Sequence, residues 1–404
     1  MKIIIFGMWH QGVVMASCLS KHHLIDCYDT NTKNLKLLKK GLLPVNEPGL
    51  KELFFKSVNN SRIKLINQPT DLKQYDAIIV AHDTIVDNFD NSKFNEINQT
   101  SRILNKSNVS KSCTLINFTQ CPVGYTQKLF GNFNAHYIPE NLQLGTAIND
   151  FLNPRLPIIG SNKKINLKKI NQIFQFNISW KTTGLNEAEF IKNCLNSFLA
   201  LSISFGNELG VIANSLNIDQ YQVIKLLKND PRLSKVPILP GVPYSGATLA
   251  RDVKNLNKYA KSLKIDSIPI VKGIHKSNNN HKKYLLSSII NFLRKNKINK
   301  IIFIGLTYKM GSSTMRRSVM YEFLQYFEKL KFKCKFYDPE VSKNDIFKLN
   351  LKQFSLKENP KNNLILISKP ILSKRFLNNL DASNKSLSLI NFENKYDKIH
   401  YIFK

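Results

Sequence analysis

The sequence predicts an α/β protein in which two doubly wound domains flank a helical middle. Three observations support this fold class. The first third alternates short β-rich runs with helical patterns, residues 186–210 are apolar nearly all round, and strand–helix alternation returns near residue 300. Such alternation is typical of a parallel sheet covered by helices on both faces. We expect domains at residues 1–180, 181–280 and 281–404.

The elements follow from local pattern. In the first domain, β-branched and aromatic runs predict strands at 3–6, 25–28, 77–80, 114–118 and 136–138, with helices over 11–21 and 31–40. Near the C-terminus they predict strands at 300–306, 334–337, 363–368 and 386–391 around a helix over 319–330. Between them, Asn186 and Glu189 form a possible capping box for a long helix. A helix that is apolar all round is buried in its domain or in a dimer interface.

Composition narrows the function classes. A chain of 404 residues with 43% hydrophobic content can bury two or three cores, which argues against disorder. The net charge of +31 is spread along the chain, so we interpret it mainly as solvated helix faces that favour a small anionic substrate, with nucleic-acid binding as the alternative. The sequence shows neither a secretion signal nor a long apolar span. We therefore expect a cytoplasmic protein that binds neither membrane nor nucleic acid.

The six cysteines are scattered without the spacing of a metal site. Most of them stand inside apolar runs, which is typical of reduced core thiols. We expect no metal.

The first predicted strand leads into the segment GMWHQG at residues 7–12, which opens a helix. Gly7 and Gly12 suit a tight turn beneath a pyrophosphate, and Asp29 closes the next strand, where a carboxylate binds ribose hydroxyls. This geometry indicates a Rossmann-like domain, and Asp29 favours NAD over NADP. Trp9 departs from the pattern because it stands where a middle glycine normally lets the backbone approach the phosphates. We expect His10 to be a surface loop residue.

Further motifs resemble those of the UDP-glucose/GDP-mannose dehydrogenase family, the nucleotide-sugar 6-dehydrogenases. The resemblance extends over essentially the whole chain. The matching segments are residues 41–50 (GLLPVNEPGL), 83–87 (DTIVD), 119–124 (TQCPVG), 139–142 (PENL), 145–148 (GTAI), 188–193 (AEFIKN), 196–200 (NSFLA), 230–232 (DPR), 240–241 (PG), 244–246 (YSG), 308–309 (YK) and 316–318 (RRS). So many matches in order are not expected by chance.

The resemblance implies roles for individual residues. Glu140 is the general base, and Lys192, which alone would be interpreted as part of a salt bridge, stabilises a developing alkoxide with Asn196 beside it. Asp252 orients a water molecule. The implied cofactor contacts, besides Gly7, Trp9, Gly12 and Asp29, are Thr84, Thr119, Gln120, Arg251 and Arg316. The implied substrate contacts are Arg232, lent by the neighbouring subunit of a homodimer, and Pro240, Gly241, Tyr244, Tyr308 and Lys309.

One departure affects the chemistry. The family oxidises a sugar CH₂OH to a carboxylate with two NAD⁺, and a cysteine in G-x-C-[LF]-x-K-D captures the intermediate aldehyde. Here residues 246–252 read GATLARD, so Thr248 takes the cysteine position and Arg251 that of the lysine. An alcohol needs an adjacent base before it can act as a nucleophile, whereas a thiol ionises near neutral pH.

Three interpretations remain. The first is a 6-dehydrogenase, serving polysaccharide precursor synthesis, that reaches the acid through a hydrate, by covalent catalysis on Thr248, or stops at the aldehyde. The second is a dehydrogenase acting on another nucleotide sugar or another carbon. The third is a non-catalytic nucleotide-sugar binding protein, which Trp9 favours and the retained acid and base candidates oppose.

Overall fold

The computed structural model describes residues 1–87, 90–176, 178–246, 248–308, 310–311, 313–315, 317–358, 360, 362–378, 385–390 and 399–402. Within these ranges the chain forms two compact units, Met1–Cys194 and Leu195–Lys404. The fold class predicted from the sequence, α/β with two doubly wound sheets and a long central helix, is confirmed. Predicted strands and helices are present with ends that differ by a few residues.

The strands of the first unit are β1 (Lys2–Phe6), β2 (Leu24–Tyr28), β3 (Ile63–Leu65), β4 (Ala77–Val80), β5 (Thr114–Asn117), β6 (Asn134–Tyr137), β7 (Ile158–Gly160) and β8 (Lys181–Thr183). Its helices are α1 (His10–Leu19), α2 (Thr32–Lys39), α3 (Leu50–Asn59), α4 (Asn95–Lys106), α5 (Tyr125–Phe130), α6 (Ala147–Leu152) and α7 (Leu167–Phe174), and a 3₁₀ turn spans Leu72–Gln74. Helix α8 (Leu185–Ser215) begins in this unit.

The eight strands form one sheet in the order β3-β2-β1-β4-β5-β6-β7-β8, parallel except where β7 runs antiparallel to β6. The central strands β1, β4 and β5 are buried along nearly their whole length, as expected where helices cover both faces of a parallel sheet. Alternate residues of β1 show this: Ile3 and Ile5 join the core cluster on one face, and Ile4 and Phe6 join the cluster on the other. The chain order reverses between β1 and β4. Ligands of such sheets bind beyond the carboxyl ends of the strands at this position.

The second unit contains strands β9 (Lys300–Ile304), β10 (Lys333–Tyr337), β11 (Leu364–Ile367), β12 (Lys385–Ser388) and β13 (Ile399–Tyr401). Its helices, besides the rest of α8, are α9 (Gln220–Leu227), α10 (Thr248–Ser262), α11 (Pro269–Lys295), α12 (Val319–Lys329), α13 (Lys343–Lys348) and α14 (Lys374–Asn378). The five strands are parallel in the order β10-β9-β11-β12-β13. Chain order therefore reverses between β9 and β11, as it does in the first sheet.

Helix α8 is 31 residues long and apolar on most of its surface. In the single chain one side remains exposed: Phe190 is 45% exposed, Phe198 54%, Phe205 53% and Ile212 57%. Among the residues that the structure describes, α8 is the one helix whose length and hydropathy would suit a bilayer, a test that core helices also pass. From the sequence we expect this helix to be buried in its domain or in a dimer interface. The exposed stripe is not buried in its domain, which leaves the dimer interface as the expectation for these residues.

The expected capping box of α8 is wrong. The helix begins at Leu185, before Asn186, and the buried Glu189 carboxylate accepts hydrogen bonds from the amides of Gly124 (2.5 Å) and Thr126 (2.8 Å). Glu189 therefore satisfies the start of α5 and not that of its own helix, because two free amides lie within reach of its side chain. Burial raises the pKa of Glu189 despite these bonds.

Candidate active site

The turn after β1 depends on two glycines. Gly7 has φ +100° and donates its amide to the Tyr28 carbonyl at 2.8 Å. A Cβ on Gly7 would lie 2.7 Å from the Ala81 backbone, and a Cβ on Gly12 would lie 1.7 Å from the Gly7 oxygen. Side chains are therefore excluded at both positions, as the dinucleotide fingerprint requires.

Asp29 anchors this turn from the end of β2. Its carboxylate is 2% exposed and accepts hydrogen bonds from the Met8 amide, the Asn31 amide and the Asn34 side chain, each at 2.8 Å. A carboxylate offers about four acceptor positions, so these bonds leave capacity for one further donor. The predicted ribose contact of Asp29 is compatible with this arrangement.

Trp9 is the N-cap residue of α1, with φ −91° and ψ −131°, and its side chain makes no capping hydrogen bond. Its half-buried indole meets the His10 ring edge-on, with 6.1 Å between ring centroids. The loop thus keeps its dinucleotide geometry without the middle glycine. The residues around the turn fit a dinucleotide, and the indole is the feature that separates this loop from the standard fingerprint.

The expected surface position of His10 is wrong. His10 is 7% exposed, because it begins α1 and its Nε2 lies 3.0 Å from a carboxylate oxygen of Glu47. Glu47 also accepts the amides of Gly145 (3.0 Å) and Ala147 (2.9 Å) at the start of α6. Burial alone would raise the pKa of Glu47, but these three hydrogen bonds and the His10 ring lower it overall. In the sequence, the one indication of a buried partner for His10 is Glu47, which stands in the EPGL segment at residues 47–50.

The three cofactor residues predicted after β4 and β5 lie at the same edge of the sheet. Thr84, Thr119 and Gln120 are all at least nine-tenths buried. Thr84 donates to the Gln120 carbonyl at 2.5 Å, and Thr119 accepts the His82 amide at 3.0 Å. Both polar side-chain atoms of Gln120 are buried without a partner among the described residues. An amide in this state suits a ligand that offers both a donor and an acceptor.

His82, to which the sequence assigns no role, also lies at this edge. Burial lowers its pKa to about 4, against the raising effect of Asp29, so the imidazole is neutral at pH 7. Its carbonyl accepts Gln11 at 2.8 Å, and its Nε2 lies 2.7 Å from the Thr100 hydroxyl.

The structure brings Lys192 and Glu140 together. Lys192 is 7% exposed, and its ammonium donates to the Glu140 carbonyl and, at 2.9 Å, to Oδ1 of Asn141. Both acceptors are neutral oxygens. The Glu140 carboxylate turns back to accept the Leu142 amide. In the first unit the buried Lys192 ammonium thus contacts the Glu140–Asn141 segment, and the Glu140 side chain is half-buried.

Glu140 and Asn141 line a pocket in the first unit. Most of its other walls are apolar. They include Met15, Phe118, Ile138, Phe151, Phe174 and Trp180. Trp180 packs against Phe174 with 5.1 Å between ring centroids. Apolar walls with a few polar groups are typical of small-molecule sites.

In the second unit, Asp252 lies at the centre of a buried cluster. Asp252 is 0% exposed; its Oδ1 accepts Nε of Arg251 at 2.8 Å, and its Oδ2 accepts the Asn196 amide at 2.5 Å. Arg251 is itself 5% exposed. Thr248 is the first residue of α10, one turn before Asp252, and it is exposed. Arg251, predicted to contact the cofactor, is thus paired with Asp252.

Most of the six cysteines are buried free thiols, as the sequence predicts. All six cysteines lie in described residues, and five of them are buried. Burial raises the pKa of Cys18 and Cys334 to about 12 and that of Cys113 to about 11, and it also raises that of Cys27. Cys121 packs beside Glu189, and burial with this carboxylate raises its pKa strongly. The exposed Cys194 lies on α8.

The predicted substrate residues lie in different surroundings. Arg232 has an 87% exposed side chain, which pairs with Asp230 at 2.6 Å. Pro240 and Gly241 are buried, and the Gly241 amide donates to Asn207 at 2.9 Å. Tyr244 is buried and its hydroxyl lies 3.0 Å from Nδ1 of His275.

Tyr308 is half-buried, and burial raises its pKa. A Cβ on Gly246 would lie 2.5 Å from its ring. Lys309 and Arg316, predicted to bind substrate and cofactor, lie outside the described residues.

These features define a class of protein, a dehydrogenase with a Rossmann-like domain and a buried lysine that is hydrogen-bonded to the Glu140–Asn141 segment. The family model for the NAD binding domain of UDP-glucose/GDP-mannose dehydrogenases matches residues 1–178, and the model for the central domain of the same family matches residues 186–280. The chain therefore belongs to the UDP-glucose/GDP-mannose dehydrogenase family, whose members act on nucleotide sugars with NAD. NAD is its cofactor.

Individual relatives agree with this family. The chain is 26% identical to the UDP-glucose 6-dehydrogenase YwqF of Bacillus subtilis over 84% of its own length and 80% of that protein. It is 24% identical to the GDP-mannose 6-dehydrogenase of Azotobacter vinelandii over 84% and 82%. The fold matches UDP-D-ManNAc dehydrogenase of Pyrococcus horikoshii with a TM-score of 0.85 at 20% identity, covering 100% of this chain and 99% of that one. For a UDP-glucose dehydrogenase from Pyrobaculum islandicum the TM-score is 0.83 at 19% identity, covering 99% and 96%.

Proposed function

We propose that this protein oxidises the primary alcohol of the sugar in a nucleotide sugar, with UDP-glucose as the first candidate. The observation that carries the proposal is the buried Lys192 ammonium held at the Glu140–Asn141 segment, in the same unit as the Gly7–Asp29 turn. A buried, hydrogen-bonded ammonium can stabilise an alkoxide as it forms. Bound NAD⁺ supplies the hydride acceptor.

In the first unit, Glu140 acts as general base for the sugar hydroxyl, directly or through water. Gly7, Trp9 and Gly12 form the pyrophosphate turn, and Asp29 uses its remaining acceptor position for the adenosine ribose. The other proposed cofactor contacts are Thr84, Thr119, Gln120, Arg251 and Arg316. The Gln120 side chain supports its own assignment, because its Oε1 and Nε2 have no partner among the described residues. A carboxamide on the ligand could donate to the first atom and accept from the second.

In the second unit, Asp252 orients water and Asn196 contacts the sugar. The nucleotide diphosphate is bound by Pro240, Gly241, Tyr244, Tyr308 and Lys309, with Arg232 supplied by a partner subunit. This assignment corresponds to a nucleotide-sugar domain at residues 281–404 and a central domain at residues 181–280 that carries the dimer contact, after an NAD domain at residues 1–180.

The second oxidation needs a route without a thiol. We propose that Asp252, held by Arg251 and Asn196, directs a water molecule onto the aldehyde carbon. The resulting hydrate would give up a hydride, for which a second bound NAD⁺ would supply the acceptor, and two protons, which would pass to solvent, leaving the carboxylate. Thr248 is not the nucleophile in this route, because an alcohol stays protonated unless a base accepts its proton. Arrest at the aldehyde and covalent catalysis through Thr248 are the alternatives.

The substrate choice extends beyond UDP-glucose. The relatives named above include a GDP-mannose 6-dehydrogenase and a UDP-D-ManNAc dehydrogenase, so GDP-mannose and UDP-N-acetyl-hexosamines are the other candidates. A non-catalytic nucleotide-sugar binding protein is the alternative from another class, and the indole of Trp9 at the pyrophosphate turn is the observation that favours it. We further propose a cytoplasmic homodimer that supplies polysaccharide precursors.

The test is to count the NADH formed per nucleotide sugar consumed, across a panel of UDP- and GDP-sugars, with mass spectrometry of the product. Two NADH and an acid support the full proposal, and one NADH with an aldehyde supports arrest after one step. If folded protein forms no NADH from any sugar and does not bind NAD⁺, the proposal fails and the binding-protein alternative replaces it.

A further inference from the structure

The two units contain the same loop clamp. In the first, Gly7 donates to Tyr28 (2.8 Å) and Asp29 accepts the next amide, that of Met8, also at 2.8 Å. In the second, Gly305 donates to Tyr337 (2.9 Å) and Asp338 accepts the amide of Leu306 at 2.7 Å. Both glycines have positive φ, +100° and +89°. Each aspartate also accepts the amide two residues further on, from Asn31 in one unit and Glu340 in the other.

One difference between the two copies lies on the neighbouring strand. In the first sheet Val80 of β4 pairs with Phe6 of β1, and in the second Ile367 of β11 pairs with Ile304 of β9. The residue two positions after Val80 therefore corresponds to the residue two positions after Ile367. It is the neutral His82 in the first unit and Lys369 in the second. Lys369 has an 8% exposed side chain that lies against Gly305, where a Cβ would be 2.6 Å from its Cγ.

The ammonium of Lys369 lies between two carboxylates. It is 3.3 Å from Asp338 and 3.5 Å from Glu340, and it donates to the hydroxyl of Thr307. Burial alone would raise the pKa of Asp338, but the Thr307 amide, the Lys369 charge and other amides lower it overall. Without Lys369, these two negative groups would stand close together in a poorly hydrated place, which is costly.

These carboxylates hold the segment that carries Tyr308. Asp338 accepts the amides of Leu306 and Thr307, before Tyr308, and Glu340 accepts the amide of Gly311 after it. The Tyr308 amide donates to the Thr314 carbonyl at 2.8 Å. A shift of this segment would therefore move the Tyr308 ring and its contact with Gly246, next to the start of α10.

We infer that Lys369 is a positioning residue for the nucleotide-sugar half of the site. It neutralises Asp338 and Glu340 so that their hydrogen bonds to the amides of Leu306, Thr307 and Gly311 keep Tyr308 presented to the nucleotide. Lys369 touches no reacting atom. The inference rests on the proposed function, because it takes the Tyr308 segment to be the part that binds the nucleotide.

The experiment compares Lys369→Met with Lys374→Met, a control that makes the same change at an exposed lysine nearby. Binding of UDP and GDP is measured by calorimetry, and KM for the nucleotide sugar and for NAD⁺ is measured separately. We expect Lys369→Met to weaken nucleotide binding and raise the nucleotide-sugar KM by roughly tenfold or more while the NAD⁺ KM stays unchanged, since a shifted binding segment acts on its own ligand. The control should match the wild type.

An unchanged nucleotide affinity in folded Lys369→Met, with the wild type binding normally, would overturn the inference alone. Absence of UDP and GDP binding by the wild type would overturn the proposed function and the inference with it. If Lys369→Met does not fold, the double variant Lys369→Met/Glu340→Gln decides, because it removes one negative charge along with the positive one. It should fold and still bind nucleotide weakly; normal binding would refute the positioning role.

Discussion

The Glu47 carboxylate joins the first residue of α1 to the first residue of α6, accepting His10 Nε2 at 3.0 Å and the Ala147 amide at 2.9 Å. One side of this bridge is the pyrophosphate turn, and the other follows the segment that holds Glu140. The position of the proposed general base relative to the cofactor loop therefore depends on the buried Glu47 carboxylate. Glu47 itself has no proposed role in the reaction.

Glu47→Gln should lower stability and turnover together. A buried charged hydrogen-bond acceptor lost in this way costs about 1 to 3 kcal/mol of unfolding free energy. The folded-state pKa of Glu47 is lowered, so its contribution is present above the ordinary carboxyl pKa and is lost as pH falls through the lower folded value. The stability difference between wild type and variant, measured by urea unfolding from pH 7 downward, should shrink on acidification. Glu52→Gln, at an exposed glutamate of α3, is the control, and a pH-independent difference would contradict the assignment.

Glu140→Gln and Lys192→Ala should each reduce kcat by roughly 10² or more, as expected for loss of a general base or of alkoxide stabilisation. Lys181→Ala changes an exposed lysine of β8 and should leave kcat unaltered. Initial rates of NADH formation at saturating substrates give the comparison. Both variants working at the wild-type rate would remove these residues from the mechanism.

Thr248→Ala and Asp252→Asn separate the routes to the acid. If water attacks the aldehyde, Thr248→Ala still forms two NADH per sugar, because the hydroxyl does not take part. Asp252→Asn should instead lower the rate at which supplied aldehyde is converted to acid, since the neutral amide orients water less strongly. NADH stoichiometry and mass spectrometry of the product decide. An aldehyde end product from Thr248→Ala alone would favour covalent catalysis through Thr248.

Trp9→Ala should bind NAD⁺ more tightly than wild type, by roughly threefold to tenfold, if the indole crowds the pyrophosphate; this corresponds to about 1 kcal/mol. Alanine keeps the Cβ atom that tryptophan has, so the substitution places no new demand on the backbone at this position. Fluorescence titration or calorimetry with NAD⁺ measures the change, and the KM for the nucleotide sugar serves as the internal control. Weaker binding would show that the indole supports the cofactor.

Phe198→Asp should dissociate the proposed dimer, because it places a charge in the exposed apolar stripe of α8. Light scattering across a concentration series gives the mass. Leu263→Asp alters a leucine that is 68% exposed, just after the end of α10, and should leave the mass unchanged. Alkylation of Cys194, exposed on the same helix, provides a second readout, since it should be slower in the dimer. A monomeric wild type would refute the dimer.

Local pattern predicted the sheets well, because strands that are buried on both faces stand out as short apolar runs. Gly7, Gly12 and Asp29 were identifiable because their interactions are set within one βαβ segment. Glu189 and His10 were misjudged because their partners, Gly124 and Glu47, are brought close only by the tertiary fold. A glutamate near a helix start gives the same signal whether it caps that helix or another.

The sequence alone does not reveal the repeated clamp, although in both copies a strand ends at a tyrosine that is followed by an aspartate. Residues 306–318 separate Gly305 from α12, whereas Met8 and Trp9 alone separate Gly7 from α1. This difference in loop length hides the correspondence from any fixed spacing. The position of Lys369 opposite that of His82 becomes visible only from the pairing of β11 with β9 and of β4 with β1.

The same difference in loop length has a consequence for protein engineering. In the first unit the partial positive charge at the start of α1 comes directly after the turn and is available to any anion bound there. In the second unit the inserted residues 306–318 move the start of α12 away from the corresponding turn along the chain. Under the proposed function, in which this unit binds the nucleotide, cationic side chains would supply the positive charge, and these can be exchanged without altering the sheet. Nucleotide preference should therefore be redesigned in residues 306–318, and the scaffold beneath them left intact.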